Sequence, residues 1–299
     1  MAAPSVLVIR AAGINCDEEV MHCWRLAGAT PTLMHVNDLA RHPALLDDFI
    51  VVTIPGGFSY GDDLGAGAIL AQRMQYELAE PLRKLVARGG GILGICNGFQ
   101  VLAKMGLLPG GEFGRDTVTV TYNDSAKFEA RWVKLQVCVD HCPYLTRAAG
   151  LGPRDPVPPA ADLGPRDHAV LLTEGAGRDR GGSGPFSRPR GLLEMPVEHA
   201  EGKVVVADDA TAQRLLDAGL VALRYVDEQG RFDRYPANPN GSTLGIAGLC
   251  DATGRVFGLM PHPDRHFDHT QHPCWTRRNP QDHADGLRIF QNAVRHWTH

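Results

Sequence analysis

Cys96 is the residue of this sequence best placed for covalent chemistry. It follows an apolar run at 91–95 and precedes apolar residues at helical spacing, so it occupies a strand-to-helix turn. Gly94 and Gly98 leave space for the sharp, strained turn that projects a nucleophile. The start of the following helix favours a thiolate, and the N–H of Asn97 is a candidate oxyanion donor. A buried structural cysteine is the alternative interpretation.

Two other segments can complete a site around this thiol. Residues 50–54 are typical of a buried strand and lead into a glycine-rich run at 55–63, whose backbone amides can approach a ligand closely and supply a second oxyanion donor. Residues 256–260 predict a strand that delivers His262 and Asp264. Both side chains point to one side of an extended chain, as a base and its orienting carboxylate require. A solvated surface pair is the alternative.

The elements that must position these residues follow an alternating pattern. Strands and helices alternate through the first hundred residues, which predicts a doubly wound α/β fold with a mostly parallel sheet and helices on both faces. Asn15 and Glu18 have capping-box spacing before a helix that Gly28 ends. Leucines within 78–85 mark another helix. The ligand site is expected at the carboxyl ends of the strands.

The second half of the chain has a different pattern. Alternating polarity predicts added strands, with one exposed face, at 117–122 and 131–135. Residues 146–190 are rich in Pro, Gly and Arg, contain the pentapeptide LGPRD twice and predict a mobile surface insertion. Residues 265–284 predict a second loop insertion before a C-terminal helix at 285–297.

Composition limits the possible classes of protein. The 299 residues are 43% hydrophobic, enough for one large α/β domain or two, and we expect residues 1–299 to form a single domain. The net charge is −4, the basic residues are not concentrated, and no apolar run approaches a membrane span, so neither a nucleic-acid nor a membrane surface is indicated. The N-terminus lacks signal-peptide features, which predicts a cytoplasmic location.

The cysteines and histidines outside these motifs do not predict a metal site. Seven cysteines, an odd number, argue against a disulfide framework. Cys138, His141 and Cys142 lack a second cluster at zinc-like spacing. The four histidines within 262–272 have prolines and charged residues as neighbours, which favours a solvated loop over a set of ligands. We therefore expect no metal.

Taken together, the motifs resemble class I glutamine amidotransferases, and more narrowly the glutaminase subunits of phosphoribosylformylglycinamidine synthases. The elbow around Cys96 and the run MPHP at 260–263 are general to the class. The runs GGFSYGD at 56–62 and NPNGS at 238–242 are particular to the narrower group. The resemblance also includes 10–19, 128–133 and 246–248, and covers most of 4–145 and 191–297.

The resemblance implies a glutaminase mechanism for this chain. The Cys96 thiolate attacks the side-chain amide carbon of glutamine, and backbone N–H groups of Gly57 and Asn97 hold the oxyanion. His262 protonates the departing ammonia and then activates water, while Asp264 orients the imidazole.

Three positions near the motifs qualify this interpretation. The family usually carries glutamate where this chain has Asp264, which is shorter by a methylene. Gln100 is expected to contact the substrate glutamine, with a helix-surface residue as the alternative. His199, followed by Ala200 where glycine is usual, either shapes the glutamine site or is structural.

The resemblance also implies partners. Ammonia passes directly to a synthetase subunit that uses ATP and Mg²⁺ to convert formylglycinamide ribonucleotide to formylglycinamidine ribonucleotide in purine biosynthesis, with a small bridging subunit. This chain has no phosphate-binding glycine-lysine loop, and we expect no cofactor in it. The alternatives are a different class I amidotransferase, a stand-alone hydrolase of γ-glutamyl compounds, and a non-enzymatic interaction subunit, which would have lost Cys96 or His262.

Overall fold

The computed structural model describes residues 2–113, 117–145, 192–278 and 284–298, so the predicted insertion at 146–190 lies outside the described residues. The strands are β1 (Ser5–Arg10), β2 (Thr30–His35), β3 (Val51–Ile54), β4 (Gly91–Ile95), β5 (Val118–Thr121), β6 (Glu129–Val137), β7 (Leu192–His199), β8 (Lys203–Val206), β9 (Val221–Val226), β10 (Ile246–Cys250) and β11 (Val256–Leu259). The helices are α1 (Asp17–Ala27), α2 (Val36–Arg41), α3 (Ala68–Glu77), α4 (Ala79–Ala87), α5 (Asn97–Lys104), α6 (Asp209–Asp217) and α7 (Asp285–Trp297).

One nine-stranded sheet organises the described chain. Its strand order is β2-β1-β3-β4-β11-β10-β9-β6-β7. The pairings from β2 to β11 are parallel, and those from β11 to β7 are antiparallel. The predicted α/β class with added antiparallel strands is confirmed. The predicted strand near 117–122 pairs only with β8, in a separate two-stranded sheet.

The central strands are apolar on both faces. Every residue of β3 and β4 is buried, as in parallel sheets that are covered on two sides. At the helix layer, Trp24 of α1 meets Phe290 of α7 edge-on, with ring centroids 5.0 Å apart. The indole N–H of Trp24 donates to Thr53 Oγ1 at 3.0 Å, which satisfies its one polar group inside the core.

None of the helices in the described ranges combines the length and apolar character that crossing a bilayer requires.

The start of α1 corrects one prediction. Cys16 is the N-cap residue, and its side chain makes no capping hydrogen bond. The predicted capping box is wrong because both of its members have other partners: Asn15 Oδ1 accepts from Cys16 Sγ, and the Glu18 carboxylate pairs with Arg10 at 3.0 Å. The predicted helix end is confirmed, since Gly28 takes a left-handed conformation with φ of 95°.

The segment that follows β11 is buried only in part, and most residues from 268 to 277 are exposed. Three short 3₁₀ turns occupy Pro263–Arg265, His269–Gln271 and Trp275–Arg277. His266 and His272 are buried and lie edge-on to the ring of Trp132, at centroid distances of 4.8 and 4.5 Å. The expectation of solvent-exposed histidines is therefore wrong for these two, and for His262, which is also buried.

A buried carboxylate holds this segment against β7. Glu194 Oε2 lies 2.5 Å from Arg278 and 3.4 Å from His272 Nε2, and the Glu194 carbonyl oxygen lies 2.7 Å from His266 Nδ1. Burial opposes ionisation of Glu194, but the hydrogen bonds from His272 and Arg278 and their charge outweigh it and lower the pKa of Glu194 to about 2.

Replacement of this carboxylate should therefore cost stability in a pH-dependent way. Glu194→Gln keeps the shape and removes the charge, and we expect the free energy of unfolding at pH 7 to fall by up to about 3 kcal/mol. Because the folded pKa lies below the unfolded value, the difference between wild type and variant is complete above about pH 5 and shrinks as the pH falls towards 2.

Urea unfolding at pH 7, 5 and 4 measures the effect. Glu228→Gln is the matched control, since that carboxylate is 62% exposed and pairs with Lys134 at the surface, where about 0.5 kcal/mol is expected. A difference between wild type and Glu194→Gln that stays constant across this pH range would contradict the interpretation.

Candidate functional site

Three strands end together at one edge of the sheet. The parallel register pairs Ile54 with Gly94 across β3 and β4, and Ile95 with Leu259 across β4 and β11. The residues that follow these strands therefore leave from the same edge, as the carboxyl ends of parallel strands must. This β3–β4–β11 edge brings together the three segments that carry the predicted chemistry.

Cys96 occupies a strained turn between β4 and α5. Its φ and ψ are 50° and −106°, a region that residues with a Cβ rarely adopt. Its backbone N–H donates to Leu259 O at 2.8 Å, which ties the turn to β11. A Cβ at position 98 would lie 1.9 Å from Ile54 O, so α5 can start this close to β3 only with Gly98. The predicted elbow is confirmed.

The thiol itself is enclosed. Cys96 is only 6% exposed, and its Sγ lies 3.7 Å from the carbonyl oxygen of Glu198, near the end of β7. A nucleophile in such a site is largely shielded from water, which strengthens electrostatic interactions with its neighbours.

His262 and Asp264 form a buried pair beside this thiol. His262 Nδ1 lies 3.4 Å from Asp264 Oδ1, and both side chains are at most 3% exposed. The separation exceeds that of a normal N–H···O hydrogen bond, so the carboxylate acts on the ring mainly through its charge. Burial opposes the charged imidazole, but the negative charges of Cys96 and Asp264 outweigh it and hold the pKa of His262 well above its usual range. The arrangement favours the protonated, imidazolium form of His262.

Gly56 lies at the centre of the site. A Cβ built there would be 2.8 Å from His262 Cε1, 3.3 Å from Cys16 Sγ and 3.4 Å from Cys96 Cβ. The nucleophile and the imidazole therefore approach each other across a position that has no side chain.

Two backbone N–H groups of the predicted site have no backbone hydrogen-bond acceptor among the described residues. In the described part of the chain, no backbone hydrogen bond uses the N–H of Gly57 or of Asn97. Gly57 has φ of 142° and lies against the backbone of Gly13, where a Cβ would be 2.6 Å from the carbonyl oxygen. Free N–H groups on either side of a thiol are what an oxyanion hole requires.

Comparison with known proteins agrees with this geometry. The family model described as a CobB/CobQ-like glutamine amidotransferase domain matches residues 3–152 and 186–297. The phosphoribosylformylglycinamidine synthase subunit PurQ of Dehalococcoides mccartyi is 36% identical over 296 residues, covering 99% of this chain and 98% of that protein. The chain belongs to the PurQ family of glutamine amidotransferases.

Further similarities extend over the full length. The subunit PurQ of Methanococcus maripaludis is 32% identical, covering 98% of this chain and 97% of that protein. A chain in the structure of PurLQS from Thermotoga maritima has a TM-score of 0.63 at 28% identity, with 99% of both chains covered. The gap in the family match, at 153–185, falls inside the predicted insertion at 146–190.

Gln100 has a different environment from the one predicted for this PurQ-family enzyme. It is 3% exposed, so the interpretation as a helix-surface residue is wrong. Its Oε1 accepts from Asn97 Nδ2 at 2.9 Å, and its Nε2 donates to the carbonyl oxygen of Glu201. The amide of Gln100 thus joins the elbow helix to the turn after β7, and its contact with glutamine stays a prediction.

The tautomer of His199 is set by Asn123, a partner that the sequence did not reveal. Asn123 Nδ2 donates to the carbonyl oxygens of Lys127 and His199, so Asn123 Oδ1 faces the other way as an acceptor. It accepts from the N–H of Gly202 at 3.0 Å and lies 3.1 Å from His199 Nδ1, which must therefore carry the proton. His199 Nε2 is left as a buried acceptor without a partner.

The family-specific run at 238–242 supports this part of the site from outside. Asn240 Nδ2 donates to the carbonyl oxygen of Gly202 at 2.7 Å, and Ser242 Oγ accepts from the N–H of Val204 at 3.0 Å. The run therefore fixes the turn after β7 and the start of β8.

Cys16 and Arg265 lie next to the imidazole of His262. Cys16, His262 and Asp264 offer atoms within 4.8 Å of one another and are the only group of possible metal ligands among the residues that the structure describes. Arg265 Nη2 donates to Cys16 Sγ at 3.5 Å. The positively charged guanidinium is therefore already hydrogen-bonded to this sulfur. The donors therefore fit a cation poorly.

The open position at Gly56 gives a direct test of the geometry. We expect Gly56→Ala to lower the glutaminase kcat by about 100-fold, because the new methyl displaces the His262 ring and a shift of about 1 Å in a catalytic group has that effect. Steady-state ammonia release measures the loss, and the thermal unfolding midpoint separates it from misfolding. A folded Gly56→Ala protein with unchanged kcat would contradict the idea that this close approach positions His262 for the reaction.

Proposed function

We propose that this chain is the glutaminase subunit of a phosphoribosylformylglycinamidine synthase. The observation that carries the proposal is the buried set of thiol, imidazole and carboxylate at an elbow with two free N–H groups, in a chain that matches PurQ proteins over its whole length. Cys96, His262 and Asp264 are the catalytic residues of this proposal, and Gly57 and Asn97 supply the oxyanion donors.

The first half-reaction releases ammonia. Cys96 Sγ forms a bond to the side-chain amide carbon of glutamine, and the carbonyl oxygen becomes an oxyanion between the two N–H groups. The C–N bond then breaks as His262 donates its proton to the leaving nitrogen. The second half-reaction reverses the proton flow: neutral His262 takes a proton from water, and the hydroxide forms a bond to the thioester carbon. The C–S bond then breaks, which returns the Cys96 thiolate and releases glutamate.

Asp264 supports these steps through charge. At 3.4 Å, its carboxylate stabilises the imidazolium without a short hydrogen bond to fix the ring. The shorter side chain of Asp264 thus leaves its carboxylate 3.4 Å from His262 Nδ1. The residues packed around the buried imidazole hold the ring in place of a hydrogen bond to this carboxylate.

His199 is proposed to bind the substrate. Burial and the nearby positive charge of His262 lower the pKa of His199 to about 4, so the ring is neutral at pH 7. Its bare Nε2 accepts one hydrogen bond. Glutamine brings N–H donors in its ammonium and its amide, and either one satisfies this nitrogen.

The ammonia is proposed to pass directly to a synthetase subunit that uses ATP and Mg²⁺, together with a small bridging subunit. Direct transfer matters because free ammonia is mostly protonated at neutral pH and loses its nucleophilic lone pair. The thioester chemistry needs no cofactor in this chain, and we propose a cytoplasmic location for the complex.

The decisive experiment measures ammonia release from glutamine by the purified chain, alone and with its synthetase subunit, bridging subunit, formylglycinamide ribonucleotide and ATP. Strong stimulation in the complex is the expected result. Equal activity of the isolated chain would instead indicate a stand-alone hydrolase of γ-glutamyl compounds. Cys96→Ala should abolish release, while Cys138→Ala, a cysteine remote from the β3–β4–β11 edge, should not.

A second test concerns glutamine binding by His199. In His199→Asn, the side-chain amide N–H₂ replaces the Nδ1–H that donates to Asn123, while the Nε2 acceptor is lost. We expect the KM for glutamine to rise about 10-fold or more and kcat to change little, because a substrate donor is left unpaired. His199→Gln, which reaches towards the Nε2 position, is the matched comparison. An unchanged KM in both would show that Nε2 does not bind the substrate.

A further inference from the structure

The side chain of Asn97 joins the elbow to the glycine-rich segment, residues 55–67. Asn97 is 1% exposed, and its Oδ1 accepts from the N–H of Ser59 at 3.1 Å. Its Nδ2 donates to Asp62 Oδ1 at 3.1 Å and to Gln100 Oε1 at 2.9 Å. Ser59 is two residues from Gly57, so the Asn97 amide connects the chain segments that carry both oxyanion donors.

Asp62 decides which way this amide faces. The N–H of Ser59 requires an acceptor and the Asp62 carboxylate requires a donor, so together they fix the oxygen and nitrogen ends of Asn97. The same Oδ1 of Asp62 accepts from the N–H of Gly67 at 3.0 Å, which closes residues 62–67 into a compact turn. Burial raises the pKa of Asp62, against the effect of these two hydrogen bonds.

The glycine-rich segment needs such a restraint because its backbone is strained. Tyr60 and Asp62 have φ of 54° and 53°, in the left-handed region that residues with a Cβ rarely adopt. Strained residues persist only where surrounding contacts hold them. The hydrogen bonds of Asp62 are contacts of that kind, and they reach the nucleophile helix directly.

We propose that Asp62 is a positioning residue that sets the spacing of the Gly57 and Asn97 N–H groups by holding the Asn97 side chain. The inference rests on the proposed glutaminase function and adds a residue to it. In the described part of the chain, the hydrogen bonds of the Asp62 carboxylate go to Gly67 and Asn97 and not to the Cys96 thiol. The contribution of Asp62 is realised where negative charge develops on the substrate oxygen, so it acts on kcat and not on the binding of glutamine.

Two substitutions separate the hydrogen bonds from the charge. Asp62→Ala removes the acceptor, and we expect kcat for ammonia release to fall about 30-fold in the assembled complex, with KM for glutamine within about threefold. Asp62→Asn keeps an Oδ1 that can accept from both Gly67 and Asn97, so kcat should return to within about threefold of wild type. Asp63→Ala removes an exposed carboxylate from the same turn and should have no effect.

A double-mutant cycle supplies the remaining evidence. Asn97→Ala keeps the backbone N–H and removes the amide, so it should reproduce the loss seen with Asp62→Ala, and the double variant should lose no more than either single one. Thermal unfolding of each variant shows that it is folded.

The outcomes distinguish the two proposals. An active wild-type complex with an equally active Asp62→Ala variant overturns this inference alone, as does an Asp62→Asn variant that is as impaired as Asp62→Ala, or losses that add in the double variant. A wild-type complex that releases no ammonia overturns the proposed function, and this inference with it.

Discussion

The contact between the backbone of Gly98 and the carbonyl of Ile54 is the constraint on which the site depends. The oxygen occupies the position that a Cβ at residue 98 would take, so α5 begins directly against the end of β3. This approach forces Cys96 into its strained conformation, which the bond to Leu259 O retains. It also brings the chain after β3 alongside the thiol, so that Gly56 and Gly57 line the same space as Cys96.

Burial gives the two histidines of this site opposite properties. His262 faces the negative charges of Cys96 and Asp264, which keep it protonated in spite of desolvation. His199 has a neutral amide as its partner and a cation as its neighbour, so desolvation keeps it neutral. One ring can therefore give a proton while the other accepts a hydrogen bond, and the difference comes from their surroundings and not from the residue type.

The sequence predicted the parts of the site that follow from strand ends. Cys96, His262 and the glycine-rich segment all come directly after apolar runs, and parallel strands bring such residues to one edge. Side-chain partners were not predictable, because they lie far apart in the chain: His199 and Asn123 are separated by 76 residues, and Ser59 and Asn97 by 38. The capping box is wrong for a local reason, because Arg10, at the end of β1, pairs with the Glu18 carboxylate.

The antiparallel pairing of β6 with β7 separates the thiol from the predicted insertion at 146–190. Glu129 pairs with His199 at the end near the thiol, and Gln136 pairs with Leu192 at the other end, about 23 Å away at 3.3 Å per residue. Residues 146–191, which lie outside the described residues, precede β7 at that distant end. Doubling the length of a connecting loop raises the free-energy cost of closing it by only about 0.6 kcal/mol. A change in the number of residues between 145 and 192 would therefore act far from the thiol and at little thermodynamic cost.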